Sequence, residues 1–99
     1  MPAYMISWVR VEDTEVHSKD YLPNAHAILT RHGGKALSIV DNLEATEGNL
    51  PDGRFILMEF PTKAHAEGFY NDEEYQPLKA LRHTISNSDM AIFDEGLVA

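Results

Sequence analysis

The sequence predicts an α+β fold of the ferredoxin-like, split βαβ type, with two helices on one face of an antiparallel sheet. Two observations carry this expectation. Apolar residues recur with a period of two or of 3.6 in segments ordered β-α-β-β-α-β, and no linker, internal repeat or low-complexity tract interrupts that order. The strand segments are apolar on both faces, which two helices alone cannot cover. At 99 residues the chain forms a single domain, residues 1–99, with one core and no need of disulfide or metal staples.

Tyr4 to Val11 reads as the first strand, with Tyr4, Ile6 and Trp8 on one face and Met5, Ser7, Val9 and Val11 on the other. Asp13 is placed to cap a helix running towards His32, whose buried face holds Ala25, Ile28, Leu29 and His32. Pro23 breaks or kinks that helix after Tyr21, and Gly33-Gly34 supplies a left-handed stop. Lys35 to Leu43 forms the second strand, and the turn Leu50-Pro51-Asp52-Gly53 leads into the third, Arg54 to Phe60.

Thr62 then caps a helix with Ala66, Phe69 and Tyr70 on its apolar edge, and Asn71-Asp72 re-caps a second helical segment. On that segment Tyr75, Leu78, Arg82 and Ile85 fall near one face. A last strand from Asp89 to Asp94 places Met90 and Ile92 on one side and Ala91 and Phe93 on the other. The first and third strands occupy the centre of the sheet. The face opposite the helices needs a second cover, and another copy of the chain is the simplest one, giving a two-fold homodimer.

Composition excludes several function classes. Sixteen acidic against 8 basic residues give a net charge of −8, which repels nucleic-acid backbones and anionic membrane surfaces. No cysteine is present, so thiol catalysis and thiolate metal ligation are ruled out, and a cytoplasmic location is expected. The start of the chain has neither a signal-peptide pattern nor a membrane-spanning run. No phosphate-cradling glycine loop and no serine-hydrolase elbow occurs. His17, His26, His32, His65 and His83 form no metal-ligand spacing, so neither metal nor cofactor is expected. His32 is the histidine placed to reach the sheet and is a candidate ligand-binding residue, the alternative being a helix C-terminal histidine that interacts with the last carbonyls and the dipole, while the other four read as solvent-facing.

Glu59 shares a strand face with Phe55 and Leu57, where apolar surroundings would raise its pKa and suit it to general acid or base work. The alternative is a structural carboxylate paired with Arg54, Arg82 or a backbone amide. Tyr75 and Arg82 lie two helical turns apart and would present a phenol and a guanidinium to an acidic ligand. Alternatively, Tyr75 packs in the core and Arg82 pairs with Glu59, Asp89 or a partner subunit. Trp8, beside Tyr4, would line a cavity for an apolar or aromatic ligand.

The strand Arg54–Phe60, ending in Glu-Phe-Pro, is followed by Phe69-Tyr70-Asn71, the acidic Asp72-Glu73-Glu74, Tyr75-Gln76, Leu78-Lys79 and Arg82. This arrangement resembles the domain of unknown function 1330 (DUF1330) family of small bacterial proteins, from the Met-Pro-Ala-Tyr start to the acidic Asp94-Glu95-Gly96 end. The resemblance implies a dimeric α+β barrel, because related families assemble that way, and it adds Arg54 and Tyr70 to the candidate ligand-binding residues. It assigns no reaction. Related barrels include cofactor-independent monooxygenases and muconolactone isomerases, so the expectation is a small enzyme using acid/base chemistry on a small organic, acidic molecule. Its site is the cleft between sheet and helices, with Glu59 joined to Tyr75 or Arg82. The alternatives are a binding module without turnover and a purely structural or interaction dimer. The chain departs from the family pattern at His17 and Pro23, where a more regular, Tyr-rich helix is expected, and at the loop 44–49.

Overall fold

The computed structural model describes residues 1–94 and has the predicted architecture. Glu95-Gly96, the end of the family-like stretch, lie outside the described residues. Strand β1 (Ala3–Val11) is followed by α1 (Thr14–Val16), a π-helical turn (His17–Tyr21), α2 (Leu22–Arg31), β2 (Lys35–Asp41), β3 (Arg54–Phe60), α3 (Lys63–Tyr70), α4 (Tyr75–Ile85) and β4 (Ser86–Asp94). The sheet order is β2-β3-β1-β4, and every neighbouring pair is antiparallel.

Register assigns every strand residue to a face, because side chains directly opposite in an antiparallel pair point the same way. Met5 faces Met58 and Ile92, and Ser7 faces Ile56 and Met90. This is the face beneath the helices, where Met5, Phe60, Ala66, Phe69 and Tyr75 join Tyr21, Ala25, Ile28 and Leu29 in one core. The other face carries Tyr4, Ile6, Trp8, Phe55, Leu57, Glu59 and Phe93, and no helix covers it.

The expected caps form. Val16 N–H donates to Asp13 Oδ1 at 3.1 Å, His65 N–H to Thr62 Oγ1 at 3.2 Å, and Glu74 N–H to Asp72 Oδ1 at 2.8 Å. Gly33 ends α2 in the left-handed region at φ 75°.

The helix expected from Asp13 to His32 is divided after Tyr21, as Pro23 predicts, and its first part is further split into α1 and the π-helical turn. Pro23 has no N–H to give the carbonyl of Lys19, and the preceding turn widens until Leu22 N–H reaches the carbonyl of His17. Asn24 Nδ2 donates to the carbonyl of Asp20 at 2.9 Å, bracing the same turn. Two strand limits also move. β2 stops at Asp41 rather than Leu43 because Asn42 turns the chain at φ 56°. β4 begins at Ser86 rather than Asp89, since pairing with Val11, Arg10 and Val9 extends a polar Ser-Asn-Ser run that has no strand signature of its own.

The helical layer stops short of β2, leaving Ile39 57% exposed on the helix side. There a cleft of about 570 Å³ opens between the sheet and the α1–π-turn segment, walled by Val9, Ile39, Ile56 and Leu22. Gly53 forms part of its rim at φ 102°, and a Cβ on Gly53 would lie 2.5 Å from the carbonyl oxygen of Val9. Gly53→Ala is therefore expected to destabilise the fold by about 1–3 kcal/mol or more, read from the urea midpoint.

Candidate functional site

Behind the cleft lies a buried polar cluster built from three elements. The π-helical turn directs His17 and Tyr21 inward, their rings 5.1 Å apart. α4 contributes Tyr75 and Arg82 from one face, and β4 contributes Ser88. Tyr21 and Tyr75 share a 2.6 Å hydrogen bond between their hydroxyls. Arg82 Nη1 donates to Ser88 Oγ at 2.6 Å.

Arg82 is the anomaly. It is 3% exposed, yet no carboxylate lies within ion-pairing distance among the described residues, and its Nε has no hydrogen-bond acceptor there. Burying an unpaired charge is expensive unless something answers it. Burial opposes the charge, the phenols of Tyr75 and Tyr21 favour it, and the balance holds the pKa of Arg82 above its ordinary value. Burial, followed by contact with Tyr75, also pushes the Tyr21 phenol far above the usual range, so it remains a protonated donor. One of the two hydroxyls donates to the other, which leaves one O–H of the pair without a described acceptor. An unanswered guanidinium N–H and an unanswered phenol O–H thus adjoin.

His17 stands between this cluster and the open cleft, and only 8% of it is exposed. Neither ring nitrogen has a hydrogen-bond partner among the described residues. Burial first, then the positive charges of Arg54 and Arg82, hold its pKa below the ordinary 6.5. Arg54 lines the cleft and pairs with Asp41 across β2–β3 at 2.8 Å.

A profile of the DUF1330 domain of unknown function matches residues 2–96. The chain belongs to the DUF1330 family. Comparison with curated proteins finds no match. Among solved structures, this DUF1330 chain is similar to a protein of unknown function from Rhodopseudomonas palustris, with 17% identity, a TM-score of 0.78, and coverage of 99% of this chain and 84% of that one. It is also similar to SnoaB, a cofactor-independent oxygenase from Streptomyces nogalater, with 10% identity, a TM-score of 0.65, and coverage of 98% and 95%. A candidate antibiotic biosynthesis monooxygenase from Nitrosomonas europaea gives 16% identity, a TM-score of 0.60, and coverage of 98% and 100%. At these identities the likeness establishes the shared fold.

Of the residues expected to act in the site, the structure unites Tyr75 and Arg82 in the buried cluster and sets Arg54 on the cleft in front of it. It separates Glu59 and Trp8 from them. Both point to the opposite, helix-free face, where Glu59 lies 3.4 Å from Lys35 and Trp8 packs against Phe55 at 5.2 Å. No cavity therefore joins Glu59 to Arg82. Tyr70 lies under Lys79, whose Nζ is 3.9 Å from its ring centre, beside a smaller hollow lined by Met90, Ala91 and Ile92. His32 bonds Asp72 Oδ2 at 2.7 Å and fastens the end of α2 to the α3–α4 turn, away from the cleft. That bond, with the Glu74 amide and Arg31, holds the Asp72 carboxyl below its usual range.

The expectation that His17 faces solvent is corrected, because the widened turn before Pro23 rotates it inward. Tyr21 and Asp41 were not anticipated either. The four-residue spacing of His17 and Tyr21 ahead of a proline was the available signal. Among the described residues no group of His, Asp and Glu side chains could hold a metal ion, and no helix is long and apolar enough to cross a membrane.

Because the folded-state pKa of His17 is depressed, its neutral form favours folding fully above pH 6.5, and that contribution is lost as pH falls below 6.5 through the folded value. Urea midpoints of the wild type should therefore drop between about pH 7 and pH 5 more steeply than those of His17→Asn. Parallel curves would show that His17 is not held neutral.

Proposed function

We propose that the protein is a small enzyme that binds a small acidic organic molecule in the cleft between β1–β3 and the α1–π-turn segment and acts on it by acid/base chemistry. The observation that carries this reading is the buried guanidinium of Arg82 without a carboxylate among the described residues, set behind His17, which lines a cleft of mixed apolar and polar walls. In a chain of net charge −8, Arg54 and Arg82 make this a local positive site. Tyr75 and Tyr21 supply donors, and Arg54 is free to exchange Asp41 for a ligand anion at the half-exposed mouth. The fold shared with SnoaB, a cofactor-independent oxygenase, is compatible with small-molecule chemistry on this scaffold.

Arg82→Met tests the reading by separating stability from binding. An unpaired buried charge replaced by an apolar chain of similar length leaves stability unchanged or raises it. The variant is therefore expected to keep its Tm within about 3 °C of the wild type or above it, and to lose the Tm increase that millimolar benzoate gives the wild type. A large fall in Tm with the benzoate effect retained would make Arg82 a structural residue.

The helix-free face supports a second element of the proposal, a homodimer formed by two such faces. The face presents Tyr4, Ile6, Trp8, Phe55 and Leu57, and the indole N–H of Trp8 is buried without an acceptor among the described residues. Its ends carry the pairs Arg10–Asp89 at 2.8 Å and Lys35–Glu59 at 3.4 Å, so an identical face can answer each charge with its opposite. Sedimentation at micromolar concentration should give a dimer, and Trp8→Glu should give a monomer. A wild-type monomer would overturn this assembly.

A further inference from the structure

We propose that His17 is the proton-transfer residue of the cleft, and that its substrate is a small carboxylate carrying a C–H bond next to a carbonyl. The inference rests on the anion-binding cleft proposed above and assigns the chemistry within it. His17 is the titratable side chain that both lines the cleft and reaches the buried cluster behind it. Its ring nitrogens have no described partner, unlike those of His32, held by Asp72, and of His65, held by Thr62. An imidazole so placed is free to meet a ligand.

The groups around it set the direction of proton flow. Arg54 from β3 and Arg82 from α4 bring positive charge, Asp41 from β2 partly neutralises Arg54, Tyr21 packs on the ring, and β1 contributes Val9, Val11 and Arg10, the last paired with Asp89. In the empty cleft this environment keeps His17 neutral and able to accept a proton. A bound carboxylate offsets the arginine charges and so favours the imidazolium that proton removal creates.

Carbon acids next to a carbonyl match this arrangement. The imidazole lone pair takes the proton, the C–H pair becomes the C=C bond of an enolate, and the carbonyl π pair moves onto oxygen. The Arg54 guanidinium at the cleft, with the charge of Arg82 behind His17, favours that oxyanion. Return of the same proton to carbon, at the original position or further along a conjugated chain, restores His17 and completes an exchange or isomerisation. No oxidant, reductant or second substrate is consumed. The apolar walls formed by Val9, Ile39 and Ile56 suit a hydrocarbon or aromatic remainder.

Phenylpyruvate in D₂O is the probe, with loss of its methylene proton signals and its binding both followed by NMR. The wild type should bind it and accelerate exchange above the buffer rate. His17→Asn should bind within about threefold of the wild type and lose roughly 100-fold or more of the exchange rate. His17→Gly should recover part of the rate when free imidazole is added. The acid limb of the wild-type rate profile should follow the His17 pKa obtained by NMR titration, a readout that does not depend on any variant folding. Binding without accelerated exchange, exchange unchanged in His17→Asn, or a rate profile unrelated to that pKa would each overturn the role of His17 while leaving the cleft as a binding site. No binding at all would overturn the anion-binding cleft itself.

Discussion

The buried guanidinium of Arg82 is the constraint around which the helical side of this protein is organised. Ser88 answers one of its nitrogens from β4, and that contact ties the end of α4 to the strand that follows it without a loop. Tyr75 and Tyr21 gather at the same charge, their shared hydrogen bond joining α4 to the π-helical turn. A hydrophobic side chain at position 82 would fill this space more simply, since burying a charge without its counter-ion opposes folding. Arrangements that oppose folding persist where function needs them, and the missing counter-charge is the feature on which the proposed anionic ligand rests.

The sheet divides the protein into two regions with different physics. On the helix side, residues of β1 and β3 such as Val9, Arg54 and Ile56 meet the π-helical turn and form the cleft, because α2 does not extend over β2. On the other side, Tyr4, Trp8, Phe55 and Phe93 form an aromatic surface rimmed by paired charges. One-residue alternation along β1 and β3 keeps these regions apart: Phe60 enters the core while its neighbour Glu59 points the other way. Arg10 is the exception, since it lines the cleft and pairs with Asp89 at the edge of the aromatic face.

The fold was legible in the sequence because period and punctuation agree. Alternation in β1 and β3, the caps Asp13, Thr62 and Asp72, and the stop at Gly33 each act locally, and each forms as read. Tyr75 and Arg82 were legible as a pair from their helical spacing. What the sequence did not disclose depends on non-local geometry. Pro23 marks a break, but whether the chain kinks or widens at that point depends on which carbonyl finds a donor, and the widened turn is what carries His17 inside. Ser86-Asn87-Ser88 becomes strand only because β1 offers a partner. Glu59 and Arg82 looked like neighbours along the family motif, yet the pleat of β3 sends the carboxylate through to the far side of the sheet.

The most direct measurement is an anomalous difference map from a crystal of the protein soaked in 4-bromobenzoate. Bromine density is expected inside the cleft between the sheet and the α1–π-turn segment, with the carboxylate directed to His17 and Arg54 and towards the charge of Arg82 behind them. Bromine density confined to the aromatic face of the sheet, or a cleft without the anion at saturating concentration, would contradict it.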